Sequence, residues 1–132
     1  RSCLAVRLSC RGTKLAVMAT HWDHLASSER QRQALSLCEL QEDLSGGLPH
    51  LLCGDLNALK RSDYSEEEWQ TLVERNRAKG WGEPDDCGSL RALEDAGYVD
   101  LVQRTLAGDG VLADAPAEAK MTSPSDAPSF RI

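Results

Sequence analysis

Apolar residues are grouped into short runs along the first half of the chain. Leu4-Ala5-Val6-Arg7-Leu8 reads as a strand, Ser9 to Thr13 with Gly12 at its centre as a turn, and Leu15-Ala16-Val17-Met18-Ala19-Thr20 as a near-continuous central strand. The two strands are close enough in sequence to pair as an antiparallel hairpin. Ser27 to Gln31 then opens a helix. Ser28 and Gln31 stand in capping-box spacing, and Glu29 lies on the favourable side of the helix dipole. Ala34, Leu37, Cys38, Leu40 and Leu44 supply its apolar stripe, and Gly46-Gly47 with Pro49 ends it. Leu51-Leu52-Cys53 is a short buried strand closed by Gly54. Strand, helix, strand is a crossover unit, which predicts that the strands ending at His21 and Asp55 lie beside or near one another in one sheet.

The second half is more helical. Ser65 and Glu68 are in capping-box spacing ahead of Trp69, Leu72 and Val73, a core-facing stripe that should stop near Gly80. Pro84-Asp85-Asp86-Cys87-Gly88 reads as a loop. Ser89 is placed to cap a helix carrying Leu90, Leu93 and Ala96, which Gly97 ends before Tyr98-Val99-Asp100-Leu101-Val102. From about 107 to 128, Ala, Asp, Gly, Pro and Ser dominate, as in an exposed loop, and Ser129-Phe130-Arg131-Ile132 regains strand character.

A length of 132 residues suits a single core. No apolar run is long enough to cross a bilayer, and the first residues lack the succession of a signal peptide. The five cysteines are odd in number and without a C-x-x-C pair; most fall inside apolar segments, read as small buried hydrophobes and favour an intracellular, reducing compartment. A net charge of -6 argues against a broad electrostatic grip on nucleic-acid phosphates.

Candidate chemistry lies where two apolar strands turn polar, at Thr20-His21-Trp22-Asp23-His24 and at Gly54-Asp55-Leu56-Asn57. Asp55 and Asn57 are two apart, so an extended backbone sends both side chains from one face. A carboxylate and a carboxamide emerging together can hold a metal, a water or a phosphate; they also make an Asx-type turn. If the strands are parallel, both clusters reach the same sheet edge, where α/β sheets tend to bind ligands. His21 and His24 could begin a zinc site, but no third ligand stands at suitable spacing. His50 reads as a strand-edge surface residue, and Cys53, among apolar neighbours, as core rather than a nucleophile.

Thr20-His21-x-Asp23-His24, then Arg30-x-x-Gln33-Ala34, then Gly54-Asp55-Leu56-Asn57-Ala58 resemble, in order and spacing, the endonuclease/exonuclease/phosphatase (deoxyribonuclease I-like) superfamily. The resemblance runs from about Leu4 to Leu101, and Phe130-Arg131-Ile132 looks like the start of the family's R-I-D-Y-I strand. It implies an α/β fold, an α+β sandwich of deoxyribonuclease I-like type. Residues 1–132 would form an incomplete C-terminal part of that domain, one mixed sheet with flanking helices.

The resemblance further implies a phosphodiesterase, nuclease or phosphatase that cleaves phosphoesters by in-line attack of water and depends on Mg2+ or Mn2+. By similarity, Asp55 would orient or deprotonate the water or assist the leaving group. Asn57 would position a phosphate oxygen or Asp55, and His21 would donate a hydrogen bond to the scissile phosphate. Asp23 and His24 match the motif and would orient the loop. Substrate remains open among nucleic acid, phospholipid and small phosphate esters.

The family's principal metal-binding glutamate and its closing S-D-H element are absent from this sequence. Asp55 and Asn57 would then be secondary metal ligands at most, and the chain alone would be inactive. One sheet face would be left for the remainder of the domain or a covering partner. The alternative expectation is a truncated, non-catalytic scaffold or binding module of the same fold.

Overall fold

The computed structural model describes residues 2–81, 84 and 88–104. The expected loop over 107–128, the strand-like stretch 129–132 and most of the expected loop 84–88 lie outside the described residues. Three strands form one mixed sheet: β1 (Cys3–Cys10), β2 (Thr13–His21) and β3 (His50–Asp55), in the order β1-β2-β3. β1 and β2 are antiparallel; β2 and β3 are parallel, joined through helix α1 (Ser27–Ser45). Then follow a 3₁₀ turn, Arg61–Asp63, and helices α2 (Glu66–Ala78), α3 (Gly88–Asp95) and the short α4 (Leu101–Arg104). No described helix is long and apolar enough to cross a membrane.

The hairpin is tighter than its sequence suggests. Cys10 pairs with Thr13, leaving a loop of only Arg11 and Gly12, with φ of 50° and 83°. Positive φ at both positions matches the right-handed twist of the flanking strands, so the pairing runs into what was expected to be turn.

Strand alternation gives the sheet two unlike faces. One carries Ala16 and Met18, both fully buried, with Cys3 and Leu52 beside them. α1 and α3 pack on this side, where Trp22, Ala34, Leu37 and Leu93 form the core cluster. Trp22 is the largest fully buried side chain, and its loss would cost about 3–5 kcal/mol. The other face carries Leu4, Val6, Leu8 and Leu51, between 44% and 66% exposed, and no described residue covers it.

That open face explains why the cysteines depart from expectation. Cys53 alternates with Leu52 and shares the open side with Leu51; it is exposed, as is Cys10 at the hairpin end, while Cys3 and Cys38 are half-buried. All four described thiols are free.

The helix ends show where local signals prevailed and where they were overridden. Ser65 caps α2 with the expected box: its side chain accepts from the Glu68 amide, and the Glu68 carboxylate accepts from the Ser65 amide at 2.7 Å. Leu72 is buried as expected, but Trp69 is only half-buried, its ring tilted 54° against Tyr64 and with the Arg61 guanidinium 5.1 Å from its centre. Ser28 does not cap α1. The N-cap is Ala26, without a side-chain bond; just ahead of it the Asp23 carboxylate takes the amides of Leu25 and Ala26 at 2.8 and 2.9 Å. Ser89 is likewise inside α3 and buried rather than outside it as a cap.

Along α1, Ala34 and Leu37 face the core while Leu40 is half exposed. α1 ends at Gly46, whose amide donates to the Glu42 carbonyl at 2.8 Å. Its last turn contains no cation of its own; Arg7 on β1 supplies one, donating to the Asp43 carbonyl at 2.9 Å.

Candidate functional site

The parallel register of β2 and β3 sets the two polar strand ends side by side. Thr20 pairs with Gly54 and His21 with Asp55. The ladder extends one step further, with the Trp22 amide donating to the Asp55 carbonyl at 2.9 Å. Gly54 makes this approach possible. Its φ is 127°, and a Cβ there would overlap the Thr20 carbonyl oxygen. A glycine is therefore required by both the backbone conformation and the contact.

His21 and Asp55 emerge on the open side of the sheet. His21 Nε2 lies 3.8 Å from Asp55 Oδ2, with the side chains 64% and 47% exposed. That distance suits charge attraction when the imidazole is protonated but is too long for a hydrogen bond. Asp55 Oδ1 is engaged differently, accepting from the Asn57 backbone amide at 2.9 Å. Asp55 and Asn57 thus form an Asx turn, and the carboxylate is fixed by one oxygen while the other faces His21.

Asn57 sits at φ 49°, a left-handed conformation that asparagine tolerates better than most residues. This conformation takes its side chain out of the extended geometry assumed from the two-residue spacing. Nδ2 turns inward and donates to the Trp22 carbonyl at 3.1 Å. One carboxamide proton is thereby used within the fold, leaving the second for a ligand oxygen. It is the backbone of Asn57, not its side chain, that touches Asp55.

Asp23 and His24 belong to the turn rather than to this pair. Asp23 receives the two amides just ahead of α1, while its own amide donates to Gln33 Oε1 at 2.9 Å and its carbonyl accepts from Arg30 Nη1 at 3.2 Å. Both partners come from α1, three residues apart and so on one helix face. Arg30 is 9% exposed, with its Nε buried and without a hydrogen-bond partner. His24 meets Trp81 edge to face, with ring centroids 6.5 Å apart. The roles of Gln33 and Arg30 were visible in the sequence only as an unexplained R-x-x-Q spacing.

Among the described residues there is no group of three His, Cys, Asp or Glu side chains able to hold a metal. Asp55 Oδ2 and Asn57 Oδ1 can act as oxygen ligands to a hard cation, but alone they do not make a complete centre.

His50 is separate from the site. Contrary to its reading as a surface residue, it is half-buried at the start of β3, with Nε2 3.0 Å from the Tyr98 hydroxyl and Nδ1 3.2 Å from the Leu48 carbonyl. The pair lines an apolar cavity of about 710 Å³ along β3 and α3, which contains neither His21, Asp55 nor Asn57.

No protein-family model, curated protein or solved structure matches this chain.

Proposed function

We propose that the His21–Asp55–Asn57 cluster is the phosphate-handling part of a phosphoester hydrolase, and that the mixed sheet belongs to a deoxyribonuclease I-like sandwich. The observation that carries this reading is the register pairing of His21 with Asp55 at the carboxyl ends of two parallel strands, in line with the three sequence motifs.

Each residue has a part in that reaction. Asp55 Oδ2, held in place through the Oδ1 bond to Asn57, accepts the proton of an attacking water whose oxygen bonds to phosphorus as the opposite P–O ester bond breaks, the leaving oxygen taking its proton from solvent. His21, with its ring exposed beside it, donates to a nonbridging phosphoryl oxygen. The second Asn57 carboxamide proton donates to another oxygen of the same group. As charge grows on those oxygens in the transition state, each fixed donor contributes about a hundredfold to a thousandfold in rate. Magnesium or manganese is the cofactor the resemblance implies. Because the described residues do not form a full metal centre, none of these steps is assigned to one.

The test is metal-dependent release of nitrophenol from bis(4-nitrophenyl) phosphate by the complete gene product, with a chelator control. Asp55→Asn is expected to lower turnover at least a hundredfold while leaving the circular dichroism spectrum unchanged. Full turnover in that variant removes Asp55 from the mechanism. A second reading, a non-catalytic binding module, is favoured by the open apolar sheet face. It predicts no turnover under any metal condition.

A further inference from the structure

The Asn57 side chain and Gln33 bind opposite sides of one peptide group. Asn57 Nδ2 donates to the Trp22 carbonyl at 3.1 Å, and the amide of Asp23, which belongs to the same Trp22–Asp23 peptide, donates to Gln33 Oε1 at 2.9 Å. A trans peptide is planar, with its C=O and N–H pointing in opposite directions. Turning the plane to lose one bond therefore moves the other. Donation by the N–H also polarises the carbonyl, which strengthens it as an acceptor.

We infer that Gln33 is a positioning residue that sets the Asn57 carboxamide through the Trp22–Asp23 peptide. Three features favour this over a merely local contact. Trp22 is anchored, 1% exposed and tied through its own amide to Asp55. The peptide plane is thus hinged at one end on the sheet, and Gln33 fixes its rotation. Gln33 lies in the second turn of α1, inside its hydrogen-bonded run, so it is a firm support. Asn57 gains such a support beside the bond of its amide to Asp55, which holds its left-handed backbone from the other side. Arg30, three residues earlier, grips the next carbonyl, that of Asp23, and limits sliding of the turn along the helix.

The coupling itself does not depend on any activity, but its consequence for turnover rests on the hydrolase reading above. The chain contains two asparagines, Asn57 and Asn76, so selective ¹⁵N-asparagine labelling gives two side-chain amide pairs, the second an internal control. Gln33→Leu removes the acceptor; Gln33→Glu keeps a carboxylate oxygen there. In Gln33→Leu, the Asn57 carboxamide resonances are expected to shift and broaden while those of Asn76 stay in place, and exchange of the Asp23 amide is expected to rise at least tenfold. Gln33→Glu is expected to restore both.

Coupling is reciprocal. Asn57→Gly should therefore also speed exchange of the Asp23 amide, a measurement that stands if Gln33→Leu fails to fold. In the complete gene product, Gln33→Leu should lower kcat about tenfold with KM unchanged, and Gln33→Glu should recover it. Asn57 resonances that stay put in Gln33→Leu, or an Asp23 amide indifferent to Asn57→Gly, overturn the inference. Absence of turnover in the unaltered protein, with the resonance coupling intact, overturns the hydrolase reading and leaves the positioning role standing.

Discussion

Gly54 and Thr20 are partners across the parallel β2–β3 pairing, and their backbones approach too closely to admit a side chain at Gly54. A methyl group at Gly54 would run into the Thr20 carbonyl oxygen, which is backbone and cannot rotate away. It would also have to adopt φ 127°. Gly54→Ala combines strain in a region open chiefly to glycine with forced separation of two strands, so a loss of about 3 kcal/mol or more is expected. Urea denaturation measures it. Because the same separation would part His21 from Asp55, an Ala variant of unchanged stability would mean that the strand ends are not so closely apposed.

Asn57 offers a way to divide backbone strain from side-chain bonding. Asn57→Gly and Asn57→Ala both lose the bond to the Trp22 carbonyl, but only alanine must carry a Cβ at φ 49°. Alanine should be less stable than glycine by about 1 kcal/mol. Thermal denaturation of the two variants side by side gives the difference, and equal stability would argue against the left-handed conformation.

Much of this arrangement was legible in the chain because local signals and tertiary demands agree there. Leu15 to Thr20 and Leu51 to Cys53 are apolar runs bounded by polar residues, and both are strands; Ser65 and Glu68 form both halves of their capping box. The polar residues after each strand were readable as neighbours once the crossover placed the strands in parallel. The misreadings arise where the helix start, a distant contact or the cover over a sheet face departs from the local pattern. Ser28 has the right spacing to cap α1, but the helix already starts at Ser27 with Ala26 as its N-cap. His50 looks like an exposed edge residue until Tyr98, 48 positions later, comes back to it. Cys53 has the neighbours of a core residue, yet burial of a strand depends on a layer over each face, and one face here is open among the described residues.

The capping difference can be tested with two alanines. Ser65→Ala removes the side-chain half of the α2 box, leaving the backbone amide at 65 to donate to Glu68, and should cost about 1 kcal/mol. Ser28→Ala, in the first turn of α1 and outside its cap, should change stability by less than about 0.5 kcal/mol. A chemical denaturation series on both variants decides it, and equal losses would restore Ser28 to the cap.

The two sheet faces predict opposite responses to polar or smaller substitutions. Met18 is fully buried against the helical layer, so Met18→Ala should cost about 2–5 kcal/mol. Leu4 and Val6 are 66% and 44% exposed, so Leu4→Thr with Val6→Thr should leave stability within about 0.5 kcal/mol while lowering fluorescence of a dye that binds apolar surface. A large stability loss in the double threonine variant would show that the open face is covered in solution.

Tyr98 makes the fold sensitive to alkali. Burial, first, and then the thiol groups of Cys38 and Cys3 push its phenol from 10.0 up to about 12. The same burial pushes the Cys3 and Cys38 thiols up from their usual value. The Leu48 carbonyl can only accept, so the His50 Nδ1 bonded to it carries the proton; in the neutral ring Nε2 is then an acceptor for the Tyr98 hydroxyl. Loss of the phenolic proton turns that bond into a lone pair facing an anion. Since the folded chain holds this proton more tightly than the unfolded chain, the contribution of Tyr98 to stability is fully present below pH 10. It declines as pH rises from about 10 towards 12. Absorbance at 295 nm should show a phenol ionising near the upper end of that window in the folded protein, and Tyr98→Phe should abolish that step. The same variant should flatten the fall in stability measured by denaturation across the window. If the fall is as steep without the hydroxyl as with it, the alkaline sensitivity originates elsewhere and the Tyr98–His50 bond is not its source.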